Sequence, residues 1–237
     1  MLIRSALYNV IMWVTVSIYA CLMLLTAVLP FQVRYRLIIA WPRFQIWLAR
    51  RLLRIDYRID GAEHLPHGAA IVMAKHQSAW ETLALPTLLP RLTFTLKREL
   101  LWIPFFGWGL RLLRPIAIDR NAGQLAMDQV VAQGRERLRE GTWVVIFPEG
   151  TRVPPGERKR YKRGGAILAA ETGFPIVPVA HNAGHFWPRR GFVKKPGTIR
   201  VVIGPLIHPN GKAADQILGE VETWIENTMR TIETSAH

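Results

Sequence analysis

Ala70-Ile71-Val72-Met73-Ala74-Lys75-His76-Gln77-Ser78-Ala79-Trp80-Glu81 is the stretch on which the reading of this chain turns. Its first five residues form a short apolar run, the pattern of a strand buried in a sheet. A histidine follows just beyond the end of that strand, and a carboxylate comes after four intervening residues. If a helix starts near Ser78, Glu81 lies in its first turn, where a negative charge is favoured, and can fold back toward His76. An imidazole oriented by a carboxylate is a general-base arrangement. A solvated histidine beside a helix-capping glutamate is the plainer alternative, and the pair by itself leaves both open.

Working outward, strand-like runs recur at Ile55–Ile59, Leu92–Lys97, Ile116–Ile118, Trp143–Phe147, Ile176–Ala180 and Ile199–Ile203. Between them lie helical patterns at Trp80–Leu88, Gln124–Glu140, Gly164–Thr172 and Lys212–Thr231. This alternation predicts an α/β fold with a mixed, mostly parallel sheet flanked by helices. Sites in such sheets form beyond the carboxyl ends of strands. A second marked segment, Phe147-Pro148-Glu149-Gly150-Thr151-Arg152, also follows a strand-like run. Gly150 permits close backbone approach, and the Arg152 fork suits a phosphate. The local alternative is a turn held by a structural Arg–Glu pair.

Together these segments resemble the glycerolipid acyltransferases, in particular the 1-acyl-glycerol-3-phosphate acyltransferases. That family carries His-x4-Asp where this chain has His76 and Glu81, so the acid here is one methylene longer. Its Phe-Pro-Glu-Gly-Thr-Arg block is matched in full, although the serine usual after the arginine is Val153. Lys97-Arg98-Glu99-Leu100 through Pro104 and Gly107, Ile116-Ala117-Ile118-Asp119-Arg120, and Phe174-Pro175-Ile176-Val177-Pro178-Val179-Ala180 resemble further blocks of the family, in the same order.

The resemblance implies transfer of a fatty acyl group from an acyl thioester, carried by coenzyme A or acyl carrier protein, to the free hydroxyl of lysophosphatidic acid. The product would be phosphatidic acid. His76 is then the base and Glu81 its orienter. Lys97, Arg120 and Arg152 are the expected phosphate ligands. Glu149 and Gly150 shape that pocket, with Glu149 orienting Arg152 or bonding a substrate hydroxyl. This chemistry needs no cofactor and no metal. Another lysolipid or glycerol-3-phosphate would call for much the same catalytic pair.

Composition agrees with a membrane partner. The 237 residues carry 31 Lys+Arg against 17 Asp+Glu, a net charge of +14. That excess predicts an anionic partner. The mean hydropathy of +0.12 and the nine tryptophans are too apolar for nucleic-acid binding alone. With one cysteine, Cys21, no intrachain disulfide and no cysteine-rich zinc site is possible. His181 and His185 have a metal-like spacing on a helix. Gly184 and Trp187-Pro188 instead make that stretch a loop, and no third ligand is evident.

No charge interrupts Ser5 to Val33. As a helix this run is long enough to span a bilayer core, which takes roughly 20 apolar residues. A removed signal peptide would have a shorter apolar region and a small-residue cleavage site. Arg34, Arg36, Arg43, Arg50, Arg51 and Arg54 follow, against Arg4 alone before it. By the positive-inside bias the bulk of the chain is cytoplasmic, on an inner membrane of bacterial type. The arginines alternate with Trp41, Phe44, Trp47 and aliphatic residues, which suits a helix lying in the headgroup layer. The expected division is therefore 1–54 as membrane-anchoring helices and 55–237 as the cytoplasmic domain. A helix pair dipping into one leaflet is the alternative.

Two other function classes compete with this reading. A serine hydrolase lacks its Gly-x-Ser-x-Gly elbow, and Ser78 is too close to His76 in sequence to complete a triad. A non-catalytic binder of anionic lipid draws on the basic run Arg158-Lys159-Arg160-Tyr161-Lys162-Arg163 and on Arg189, Arg190, Lys194 and Lys195. These cations also suit lipid headgroups, coenzyme A phosphates or an acidic carrier protein.

Overall fold

The computed structural model describes residues 1–104, 106–119 and 123–234. Seven strands form one sheet: β1 (Ile55–Asp60), β2 (Ile71–Ala74), β3 (Leu92–Lys97), β4 (Ile116–Ile118), β5 (Trp143–Ile146), β6 (Ile176–His181) and β7 (Gly197–Ile203). Their order is β1-β7-β6-β2-β5-β3-β4. All pairings are parallel except β6 with β7. The expected mixed, mostly parallel sheet is therefore observed, with β2 at its centre.

The helices are α1 (Leu2–Leu24), α2 (Phe31–Leu48), α3 (Trp80–Leu88), α4 (Phe106–Arg111), α5 (Gln124–Arg139), α6 (Gly164–Thr172), α7 (Ala183–Phe186) and α8 (Ala214–Thr234). Strand β2 is buried on both faces, as a central parallel strand must be. Its side chains alternate between two cores. Val72 and Ala74 join Trp80 of α3 and Ile46 of α2 in one cluster. Ile71 and Met73 join residues of α5, α6 and α8 in the other. The short helices α4 and α7 were not legible from periodicity, because a single turn or so does not establish a period.

The N-terminal helices share the first core with the sheet, since Tyr8, Ile46, Ala49 and Leu53 belong to it. Helix α1 is apolar enough to cross a membrane, and only 11% of its apolar window is buried. Both of its ends nevertheless touch the rest of the protein. Near the start, Ser5 Oγ accepts the Lys194 N–H at 2.9 Å, and Asn9 Oδ1 accepts from Lys194 Nζ at 2.6 Å. Tyr8 meets Trp187 edge to face at 5.2 Å. Near its end, Ala20 lies against Gly109 of α4. In the middle, Thr15 Oγ1 accepts from Trp41 and Gln45 of α2 at 3.1 and 3.0 Å. Helix α2 is tied in turn to the sheet, where the Leu92 N–H donates to Tyr35 Oη at 2.9 Å. So α1 lies along the domain instead of leading away from it. Its free face is a stripe of Leu7, Val10, Val14, Ile18, Leu22 and Leu25, all exposed.

Candidate active site

The site begins where β2 runs out. Side-chain alternation sends Lys75, like Ile71 and Met73, toward the α8 face. His76 is left at the strand's carboxyl edge, 13% exposed. The chain then turns into α3 through contacts akin to a capping box, in which the Ser78 and Glu81 side chains take free N–H groups at the start of the helix. Ser78 Oγ accepts the Trp80 N–H at 3.0 Å, and Glu81 Oε1 accepts the Ser78 N–H at 2.8 Å. Fully buried and used as a cap, Ser78 is not placed as a nucleophile.

The same Glu81 oxygen accepts from His76 Nδ1 at 2.8 Å and from the Gln77 N–H at 3.0 Å. Glu81 is itself fully buried. Burial pushes its carboxyl up. His181, His76 and the Ser78 N–H outweigh that and hold it below the usual carboxylate range. An ionised Glu81 keeps a proton on Nδ1, which leaves Nε2 unprotonated and able to act as a base. Phe147 stacks on the imidazole at 3.9 Å between ring centres, and fixes its plane.

Behind this pair stands His181, the last residue of β6. Its Nε2 donates to the Lys75 carbonyl at 2.8 Å, and its Nδ1 accepts the Ala183 N–H at 3.3 Å. Burial, only partly offset by Glu81, lowers its pKa. His181 thus ends a buried strand in place of the expected loop, and it pins the backbone before His76.

The segment after β5 wraps around the same corner. The Val153 N–H donates to the His76 carbonyl at 2.7 Å. The position that departs from the family's usual serine therefore contributes its backbone, and its side chain is buried. Glu149 differs from the expected arrangement. It pairs with Lys75 and not with Arg152. It is fully buried and lies 2.8 Å from Lys75 Nζ, and its Oε2 accepts the His76 N–H at 2.8 Å. Proline at 148 and the turn at Gly150 aim it inward instead. Burial pushes its carboxyl up to about 7 against the pull of Lys75 and the His76 N–H.

Gly150 has φ +68°, a left-handed conformation that glycine adopts without strain. The Lys162 side chain crosses it so closely that a Cβ there would lie 3.0 Å from Lys162 Cε. Lys162 is held in place by its own N–H, which donates to the Pro148 carbonyl at 2.8 Å. Sequence reasoning had Lys162 only as part of a basic run, and nothing local distinguishes it from its neighbours. Arg152, on the same loop, is half-buried, and its guanidinium has no carboxylate partner among the described residues. Lys97 ends β3 at the surface and pairs with Glu99 at 3.3 Å. Arg120 lies outside the described residues.

An imidazole oriented by a carboxylate, on the same corner as cations that pair with no carboxylate among the described residues, is suited to deprotonate a hydroxyl on a molecule that also carries a phosphate. A family model described as Acyltransferase matches residues 56–182. The chain belongs to the acyltransferase family. It is 45% identical over 235 residues to a 1-acyl-sn-glycerol-3-phosphate acyltransferase of Pseudomonas aeruginosa, covering 97% of this chain and 91% of that one. The alpha form of the same enzyme from Mus musculus is 29% identical over 78% of this chain and 66% of its own. The fold of this acyltransferase is similar to that of the crystal structure of the 1-acyl-sn-glycerophosphate acyltransferase of Thermotoga maritima. The TM-score is 0.81 at 23% identity, over 98% of this chain and 95% of the other.

Proposed function

We propose that this acyltransferase transfers a fatty acyl group from an acyl thioester to the free hydroxyl of lysophosphatidic acid, giving phosphatidic acid. The observation that carries this is the His76–Glu81 pair at 2.8 Å, with Nε2 free at the strand's edge. A thioester is already activated, so the base is needed to make the hydroxyl nucleophilic. His76 Nε2 takes the hydroxyl proton as the oxygen attacks the thioester carbonyl. The tetrahedral intermediate then expels the thiolate, and the imidazolium returns the proton to the leaving sulfur. Glu81 stabilises the imidazolium throughout, as the carboxylate of a triad does.

Arg152 and Lys162 hold the acceptor's phosphate in this reading, and Lys97 and Arg120 remain the further phosphate ligands that the family resemblance implies. Two or more cations around a dianion supply charge-assisted hydrogen bonds. Gly150 lets Lys162 cross the loop. Glu149 serves the base, through the His76 N–H, and not the phosphate. The exposed Lys159, Arg160, Arg189 and Arg190 favour a polyanionic donor, coenzyme A or acyl carrier protein.

The membrane assignment follows from α1. At about 1.5 Å per residue the helix could cross a bilayer, but a bilayer cannot pass between a helix and a domain that it touches at both ends. We place the apolar stripe of α1, with the exposed Trp102, Ile103 and Trp108, in a single leaflet of the cytoplasmic face of the inner membrane. Residues 1–54 are then the anchor and 55–237 the catalytic domain, sharing one core. Such a site receives both lipids from one side.

The decisive experiment incubates the detergent-purified protein with labelled palmitoyl-coenzyme A and lysophosphatidic acid, beside His76→Ala. Phosphatidic acid from the wild type alone is expected. Equal turnover by the variant removes His76 as the base. Turnover on a phosphate-free lysolipid with an unchanged KM removes the phosphate site.

A further inference from the structure

Helix α8 lies outside the matched segment 56–182 and carries no motif. Its acids nonetheless reach the residues on both sides of His76. Before the histidine, Lys75 is 2% exposed, and its Nζ donates to Glu226 Oε1 at 3.0 Å. The same ammonium lies 2.8 Å from Glu149 Oε1, and Glu149 Oε2 accepts the His76 N–H. After the histidine, Gln77 is 1% exposed, and its Nε2 donates to Glu233 Oε1 at 3.2 Å. Its Oε1 accepts the Gly184 N–H at 3.2 Å.

Glu226 and Glu233 are two turns apart, so they share one face of α8. Tyr161 Oη donates to Glu226 Oε1 at 2.8 Å and fixes that carboxylate. Burying a lysine between two carboxylates is costly, and apolar residues of similar size usually stabilise a core at least as well. This face of β2 accepts apolar packing one turn of the strand earlier, at Met73. At Lys75, beside His76, that packing gives way to an ionic contact; elsewhere α8 also pairs Glu222 and Glu226 with Arg158 and Asp215 with Arg163.

We infer that Glu226 and Glu233 are positioning residues for the acyl transfer. They clamp the backbone of His76 from both sides, one through Lys75 and Glu149, the other through Gln77. The inference rests on His76 being the base. Removing the Glu226 charge frees Lys75 to pull on Glu149 alone, and the His76 N–H moves with it. A displacement of about 1 Å can cost on the order of 10²-fold in rate.

The test uses the full-length enzyme in detergent. Glu226→Gln is expected to lower kcat roughly 10–100-fold, with the KM for each substrate within about twofold. Glu233→Gln should lower kcat less. Glu226→Asp, which keeps the charge, should recover part of the loss. Adding Glu226→Gln to Lys75→Met should cost little more than Lys75→Met alone, because the two act through one another. A lower melting temperature with full kcat in Glu226→Gln would show a merely structural salt bridge and overturn the inference. So would a raised KM with kcat kept, since α8 would then be acting on substrate. If Glu226→Gln does not fold, Tyr161→Phe removes a single hydrogen bond to Glu226, and wild-type kcat there also overturns it. Turnover by His76→Ala would instead sink the reading on which the inference stands.

Discussion

Around His76, a side-chain N–H and three backbone N–H groups end on the two buried carboxylates Glu81 and Glu149. Around Arg152 and Lys162, a few residues away, the cations end in no carboxylate among the described residues. The first region is complete without a ligand, and the second is charged and open. A base must hold its tautomer and direction before the substrate arrives, because reorganisation at the moment of reaction adds to the barrier. A phosphate brings its own two negative charges and can complete an open set of donors when it binds. The prebuilt corner should therefore govern kcat and the open corner KM.

The largest expected effect comes from breaking the closed corner. Glu81→Gln removes the charge that stabilises the imidazolium and presents a donor to Nδ1. A loss of kcat on the order of 10²-fold or more is expected, with the KM for lysophosphatidic acid nearly unchanged. If steady-state kinetics show the loss in KM instead, the division between the two corners is wrong.

Arg152→Ala and Lys162→Ala address the open corner. Each removes a charge-assisted hydrogen bond, worth about 1.5–3 kcal/mol, so KM for lysophosphatidic acid should rise roughly tenfold or more. The KM for palmitoyl-coenzyme A should hold. A rise in the donor KM would reassign that cation to the coenzyme's phosphates. Gly150→Ala sharpens the same point without removing a charge. It strains a φ of +68° and crowds Lys162 from 3.0 Å. A smaller rise in KM is expected, and a variant indistinguishable from wild type would show that the crossing of Lys162 over Gly150 is irrelevant.

The smallest effect is on stability. Burial raises the Glu149 carboxyl from 4.5 to about 7. A group whose folded value is raised stabilises the fold fully below its unfolded value, and that contribution is lost as pH rises through the folded value. Between about pH 5 and about pH 8 the wild type should therefore lose more melting temperature than Glu149→Gln. Parallel slopes in a thermal-shift series would show that Glu149 does not titrate in that window.

These residues also divide by how visible they were in the sequence. The strand before His76 and the glutamate after it were legible because both lie within one short segment, where period and capping chemistry act locally. Lys97 and Arg152 were legible as cations but not as partners. The sequence offered Arg152 as the neighbour of Glu149, and the fold gave Glu149 to Lys75. Alternation along β2 would have turned Lys75 away from His76, but nothing in a strand pattern says what waits on that face.

The apolar run from Ser5 to Val33 shows the same limit. Its hydropathy makes a helix long and apolar enough to cross a membrane. That this helix lies along the domain was decided by Ser5, Asn9 and Tyr8 meeting Lys194 and Trp187, residues far apart in the chain. By itself the sequence determined the sheet's strands, the placing of His76 and Glu81 in one short segment, and a net positive charge that favours anionic partners. These depend on periodicity, short-range capping and summed charge, all of which act within a few residues or over the whole surface. Only the tertiary structure decided which buried carboxylates bond His76, which lysine crosses Gly150, and that α8 bonds both neighbours of His76. Those contacts join distant segments, and their energies depend on burial that no local pattern specifies.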